Sequence, residues 1–476
     1  MSTSNKKVGT PTGIASILGL MLLASSLLTI TQGISLGGYV FFIALVISYV
    51  LMMCQATSFA ELSGIIPTVG AVYDYITIAM GRFWGVTATL ASYVIVTFFA
   101  SSAEVAAAGL FAQSNFPIVS SFVSPENSWI IGWGIVILCA IINIRGINMF
   151  ALIENILSYS KYALMVILGI IGLFIIPKTN LDFIWGDSSI GHDISAIFTL
   201  VGFTLFLFVG AEYVTPLAPE MKDPNKNIKH SLFIGLTMSL IAMLIFGTSI
   251  VRLVPNEVVD QTSNTLLLET PESALVYGDA ILGEVGKWGF VLVIFLATVA
   301  LINTIIASIP RILYGMALDG VLPKIFLKTH KKYDTPYVGI IFIALIPMLG
   351  SYLIGSDING VFALILAAIC SWIFFYILIN IAVVLLRKRH PKIVRPFKTP
   401  LYPLPQLLAI IGLFITFFYL VPPFLTPSQI YIPFFVILSI CATYSFVWLK
   451  YKQEVPLWTP LEIEHVLQKH PHQETS

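Results

Sequence analysis

About twelve times along the chain, apolar residues run on for close to the ~20 positions that a helix needs to cross the hydrocarbon of a bilayer. No other feature restricts the fold as severely. Backbone in lipid must satisfy every N–H and C=O within its own helix or within a closed barrel. The runs are continuous, as in "YVIVTFFASSAEVAAAGLF" and "FALILAAICSWIFFYILI", and lack the alternation of barrel strands, so helices are expected. They lie near 13–35, 38–63, 85–112, 129–144, 149–177, 195–218, 231–254, 288–310, 337–354, 359–386, 405–423 and 430–449. Only 10% of the 476 residues are Asp, Glu, Lys or Arg, against about 25% in soluble domains. A single soluble core is excluded, and the chain reads as an all-α polytopic membrane protein with the bilayer as its principal partner.

The basic residues give an orientation. An even number of spans puts both termini on one side. If that side is inside, the inner segments hold Lys6, Lys7, Arg82, Arg145, Lys222, Lys226, Lys229, the run Arg311 to Lys332 and the loop Arg387 to Lys398. The outer segments hold only Lys178, Arg252 and Lys287, as the positive-inside rule requires. The expected organisation is a cytoplasmic segment at 1–12, a core at 13–386, a basic loop at 387–404, two further spans at 405–449 and a cytoplasmic tail at 450–476. The opening "MSTSNKKVGT" lacks the layout of a cleavable signal. The stretch from Pro255 to Lys287 carries Glu257, Asp260, Glu269, Glu272, Asp279 and Glu284 and reads as a solvated outer loop. The tail "LEIEHVLQKHPHQETS" reads as a short helix or a disordered segment, its histidines too sparse for a metal site. Cys54, Cys139, Cys370 and Cys441 lie in apolar segments without metal spacing and read as small buried residues. No cofactor or metal is expected, and a net charge of +1 gives no reason to expect a nucleic acid partner.

Two spans contain interruptions in corresponding places. The sixth reads "LFLFVGAEYVTPLAPEMKDPNKNIKHS", where Gly210 permits unusual backbone angles and Pro216 removes a backbone donor. The first contains Ala24, Ser25 and Ser26, small residues that could open a helix. Breaks in spans one and six are what two inverted five-helix repeats would produce. The exposed half-helix ends would then serve a zwitterion, amides attracting a carboxylate and carbonyls an ammonium. Lys161, in "NILSYSKYALMVILG", sits at mid-membrane, where a charge costs roughly 3 kcal/mol on insertion scales and needs a partner, a cavity or a function. Glu154 lies two turns away on the same face but about 10 Å along the axis, too far for a local pair.

Three stretches together carry a resemblance: "SFAELSGIIPTVGAVYDYITIAMGRFWG" (58–85), "FVGAEYVTPLAPEMKDPNKNIKHS" (208–231) and "IPRILYGMALDGVLPKIFLKTHKKYDTPYVG" (309–339). In order, and between the expected spans, they resemble the amino acid–polyamine–organocation permease family over nearly the whole chain. The resemblance implies a LeuT-type fold, with inverted repeats at roughly 13–177 and 195–386 followed by two extra helices. It also implies alternating access around a central site for an amino acid or related amine. One departure stands out. The family's glycine-rich break in span one is matched here by Leu23, Ala24 and Ser25.

The resemblance places substrate near Ala24, Ser25, Ser26, Phe206, Val209, Gly210 and Ala211. Phe206 matches an aromatic that closes over substrate, although it and Phe208 are equally readable as packing residues. Lys161 matches a lysine that replaces a sodium ion in proton-driven members. A purely structural lysine bonded to carbonyls or to an acid is the competing reading. Glu104 either lines the site and selects cations or links helices. Glu212 either gates and relays protons or caps the inner half-helix. Arg311, Tyr314 and Asp319 read as part of an inner loop that changes shape.

The leading function is therefore secondary transport of an amino acid, coupled to protons, in a cell membrane. The alternatives are an amino acid/amine exchanger and a polyamine permease, and a homodimer is compatible with any of them. An enzyme is disfavoured. His192, His230, His330, His390, His465, His470 and His472 all fall in loops or the tail, and H-E-x-x-H does not occur. A channel or a nutrient sensor on the same fold would retain the same site.

Overall fold

A computed structural model describes residues 8–175, 194–253, 268, 273–354, 358–421 and 425–468. Lys6, Lys7, Lys178, His192, Glu257, Asp260, Glu269, Glu272, Lys469, His470 and His472 lie outside the described residues. Each apolar run of the sequence coincides with a helix. The first becomes a pair, α1 (Thr10–Met21) and α2 (Ala24–Gly37), and the next is α3 (Tyr39–Ile65). A short, almost wholly buried α4 (Val72–Met80) leads into the long α5 (Arg82–Gln113). Then follow α6 (Trp129–Ile144), α7 (Ile147–Phe174), α8 (Ile194–Phe206), α9 (Pro224–Leu253), α10 (Ser273–Leu282) and α11 (Glu284–Leu318). The remainder is α12 (Tyr337–Ile354), α13 (Ile358–Arg389), α14 (Leu404–Tyr419), α15 (Pro427–Val447) and a short α16 (Ile463–Gln468).

Among the described residues, eight helices are long and apolar enough to cross a bilayer, and α1 with α2 forms a ninth span bent by 54°. The shorter apolar helices α6, α10, α12 and α14 stand beside them. The chain is thus a polytopic α-helical membrane protein. Burial sorts the helices by position. The apolar window of α11 is 83% buried and that of α15 only 28%, so α11 is central and α15 faces outward. Helix α1 packs against α7, α9 and α11.

The stretch expected as a solvated loop needs a correction. Its second half is α10, whose Ser273, Ala274, Tyr277 and Ile281 are buried. Tyr277 Oη bonds Ser249 Oγ at 2.5 Å and donates to the Leu168 carbonyl at 3.2 Å. Asp279 and Glu284 are exposed, as a solvated segment would have them.

One end of the bundle is fastened by buried ion pairs. Asp319, which follows α11, receives Arg82 Nε at 2.7 Å, Arg82 Nη2 at 2.9 Å and the Tyr73 hydroxyl at 2.5 Å. Arg311 forks onto Glu220 at 2.8 and 3.1 Å. Glu61 accepts from Arg387 Nε at 2.8 Å and from Thr399 N–H at 2.9 Å, drawing the basic loop over α3. Both described chain ends meet here. Val8 N–H donates to the Glu220 carbonyl at 2.9 Å, and Phe83 N–H donates to the Leu457 carbonyl at 3.0 Å. The tail therefore folds back, with Trp458 4.4 Å from the Phe83 ring.

Removing one partner of a buried pair strands the other charge, so Asp319→Ala should destabilise the protein by about 3–5 kcal/mol. Chemical unfolding of the purified protein in detergent checks this. A loss as small as that of an exposed pair would contradict the buried geometry.

Candidate functional site

The first span breaks where no glycine or proline compels it. Leu22 (φ −96°, ψ 72°) and Leu23 (φ −92°, ψ 169°) leave the helical region, and α2 restarts at Ala24. A side chain competes for the backbone at this point. Ser26 Oγ donates to the Met21 carbonyl at 2.7 Å, taking an acceptor that a continuous helix would have used. Two helix ends are exposed as a result, one rich in orphan carbonyls and one rich in orphan amides.

Each end meets a side chain of the sign its dipole favours. At the carbonyl end of α1, the Lys161 ammonium donates to the Gly19 carbonyl at 3.0 Å. At the amide end of α2, Glu104 Oε1 accepts the Ser25 N–H at 3.0 Å. Lys161 comes from α7 and is fully buried, and Glu104 comes from α5 and is 3% exposed. Gly19 has to be small. A Cβ there would lie 2.3 Å from Glu154 Oε1 and 3.0 Å from Ser158 Oγ.

Glu154 does not pair with Lys161; among the described residues no ion pair within 4 Å involves either. The carboxyl of Glu154 instead accepts from Ser158 Oγ and Asn303 Nδ2, both at 2.7 Å. Asn303 in turn accepts from Asn143 Nδ2 at 2.8 Å. A polar seam thus joins α6, α7 and α11 beside the broken end of α1.

The second break follows α8. Leu207–Gly210 form a turn, Gly210 takes φ +105°, and a 3-10 helix then runs Ala211–Glu220. That left-handed angle suits glycine because it has no Cβ. Pro216 and Pro219 help keep this segment from becoming a regular α-helix. Two tyrosines secure it. Tyr376 Oη accepts the Gly210 N–H at 3.3 Å and donates to Glu212 Oε2 at 2.9 Å. Tyr93 Oη donates to Glu212 Oε1 at 3.2 Å. Ser308 Oγ donates to the Tyr213 carbonyl at 2.7 Å, adding α11 to the clasp.

Between the two breaks lies a narrow cavity of ≈ 30 Å³. The first break contributes Leu20, Leu23 and Ser25, and the second contributes Phe206, Val209, Gly210 and Tyr213. Helix α5 supplies Val96, Thr97, Ala100, Ser101 and Glu104, while α11 and α13 supply Leu301, Ile305, Ile365 and Trp372. Two π-helical stretches of α5, Leu90–Ile95 and Thr97–Ser101, run along this wall, and such bulges concentrate at functional sites. Glu104 Oε2, Ser101 Oγ and Trp372 Nε1 are buried without a hydrogen-bond partner.

Of the residues expected at a substrate site, Ser25, Phe206, Val209 and Gly210 line the cavity. Ser26 is turned back onto Met21, and Ala211 is buried outside the lining. Ala24 is described by its backbone alone, as the first residue of α2. Phe208 is fully buried, its ring 6.0 Å from that of Tyr49. Lys161 and Glu104 meet the two ends of one broken helix, and Glu212 sits beyond the cavity under its tyrosines. Tyr93, Tyr376, Trp372 and Asn303 escaped the sequence reading. They stand within apolar runs of the sequence, where nothing local distinguishes a site-facing residue from a packing one.

A buried cavity between two broken helices inside a membrane bundle defines a membrane permease. A family model for amino acid permeases matches residues 8–447, and the chain belongs to that family. It is accordingly a transporter and not an enzyme. The serine/threonine exchanger SteT of Bacillus subtilis is 26% identical over 77% of this chain and 79% of its own length. The methylthioribose transporter of the same organism is 24% identical over 80% and 81%. The human b(0,+)-type amino acid transporter 1 is 22% identical over 84% and 79%.

Tyr376→Phe removes one bond from the Gly210 N–H and one from a Glu212 oxygen, so it should cost about 1–3 kcal/mol, more than Tyr93→Phe, which removes a single longer bond. Unfolding midpoints of the two variants test the order. Equal effects would refute the double role of Tyr376.

Proposed function

We propose that this permease carries an amino acid or a closely related amine across the cell membrane together with a proton, by alternating access around the cavity between the two breaks. The reading rests chiefly on the Lys161 ammonium at the carbonyl end of α1. A removable proton there can fasten or release α1, because an ammonium donates to a carbonyl and a neutral amine does so more weakly. Loading of the cavity and movement of α1 would thus be linked through a single charge. In this reading the core divides into repeats at roughly 13–177 and 195–386, Phe206 closes over the substrate, and Glu212 acts in gating. Both termini lie in the cytoplasm.

A second reading is exchange of one solute for another, supported by the relative named a serine/threonine exchanger. The relatives also include a methylthioribose transporter, so family membership by itself leaves the solute open.

Uptake into proteoliposomes under an imposed inward proton gradient, without sodium, separates the two readings. A mixed pool of labelled amino acids and amines is supplied. Symport gives accumulation that a protonophore abolishes. Exchange gives uptake only when solute is preloaded. Lys161→Ala should abolish proton-driven accumulation while leaving substrate binding within about tenfold of the unaltered protein. Full accumulation by a well-folded variant would exclude the coupling role.

A further inference from the structure

Glu104 already occupies the position that a zwitterion's carboxylate would be expected to take. Its Oε1 holds the Ser25 amide at the start of α2, and its Oε2 lies in the cavity wall with no partner. Glu104 is only 3% exposed, so an unfilled acceptor there gains little from water and calls for a donor from the ligand. Among the described residues no Lys or Arg stands within 4 Å of it; Lys161, which donates to the Gly19 carbonyl, acts on it only through longer-range attraction. A ligand carboxylate entering beside Glu104 would meet a like charge in a low-dielectric site.

We propose that Glu104 Oε2 receives the ammonium of a singly charged primary amine that has an apolar body and lacks a carboxylate. The proposal rests on the reading of this cavity as the transport site. Glu104 acts as a built-in replacement for the substrate carboxylate, completing the α2 helix end itself and turning its second oxygen toward the cation. The rest of the cavity determines the body. Val96, Ala100, Phe206, Val209, Leu301 and Ile305 offer hydrocarbon. The free polar groups Ser25 Oγ, Ser101 Oγ and Trp372 Nε1 are neutral. Among the described residues no second acid lines the cavity, and Glu212 is held by Tyr93 and Tyr376. A diamine would therefore leave one ammonium buried and unpaired, at a cost that exceeds what its extra length gains.

The experiment is equilibrium binding to the purified full-length protein of three probes: 3-methylbutylamine, leucine (the same skeleton with a carboxylate) and putrescine. The amine should bind at least about tenfold more tightly than either of the others. Glu104→Gln should weaken the amine by about 30-fold or more, and it should leave leucine unchanged or improved. Leucine binding tighter than the amine on the unaltered protein overturns the proposal, whether or not the variant folds. So does tighter binding of putrescine, and so does binding of none of the three. The underlying reading is tested separately with Ala100→Phe, which fills the cavity. If uptake of whichever solute the proteoliposome pool identifies persists in that variant, the cavity is not the transport site.

Discussion

The break in the first span is stable because each severed helix end meets a buried charge of the sign it prefers. Without Lys161 at the Gly19 carbonyl and Glu104 at the Ser25 amide, two sets of backbone dipoles would face a low-dielectric interior unsatisfied. The same pairings explain why a lysine and a glutamate can be buried at all. Each charge is solvated by an oriented helix end in place of water, so the costs of the two charges and of the broken helix offset one another. The cavity then follows, because an unwound segment cannot pack as tightly as a helix.

The second break is held on a different principle. Glu212 is secured by neutral tyrosine hydroxyls from α5 and α13, and Gly210 supplies the backbone angle that joins the two half-spans. One discontinuity is thus held by ionic groups at mid-membrane and the other by a hydrogen-bonded clasp beneath the cavity. The first break is held by charge and the second by hydrogen-bond geometry. The ion pairs at the end of the bundle, Arg82–Asp319 and Arg311–Glu220, tie α11 to both the start of α5 and the end of the second broken span.

Much of this was legible one residue at a time. Lys161, Glu104 and Glu212 stand out in the sequence because a charge inside an apolar run is rare and expensive. Gly210 and Pro216 stand out because they alter backbone geometry. Ser25 was legible only as a small residue, and its amide makes a contact to Glu104 that no side-chain pattern reports. Tyr93, Tyr376 and Trp372 were illegible for the opposite reason. An aromatic on an apolar helix carries the same signal whether it packs against lipid, core or cavity. Helix α10 was hidden by its acidic setting, although its buried face follows a helical period.

What the sequence determined by itself was the class of solution. Long uncharged runs in lipid must be helices, interruptions in such runs must face protein or a cavity, and basic residues must collect on one side. These constraints act locally, through backbone hydrogen bonding and the transfer of charge. Only the tertiary structure decided which charge met which helix end. Lys161 is 142 residues from Gly19 and Glu104 is 79 residues from Ser25, and no local periodicity reports on a partner that distant. Pairing at that range is selected by how the helices pack, and packing depends on the shapes of all of them together.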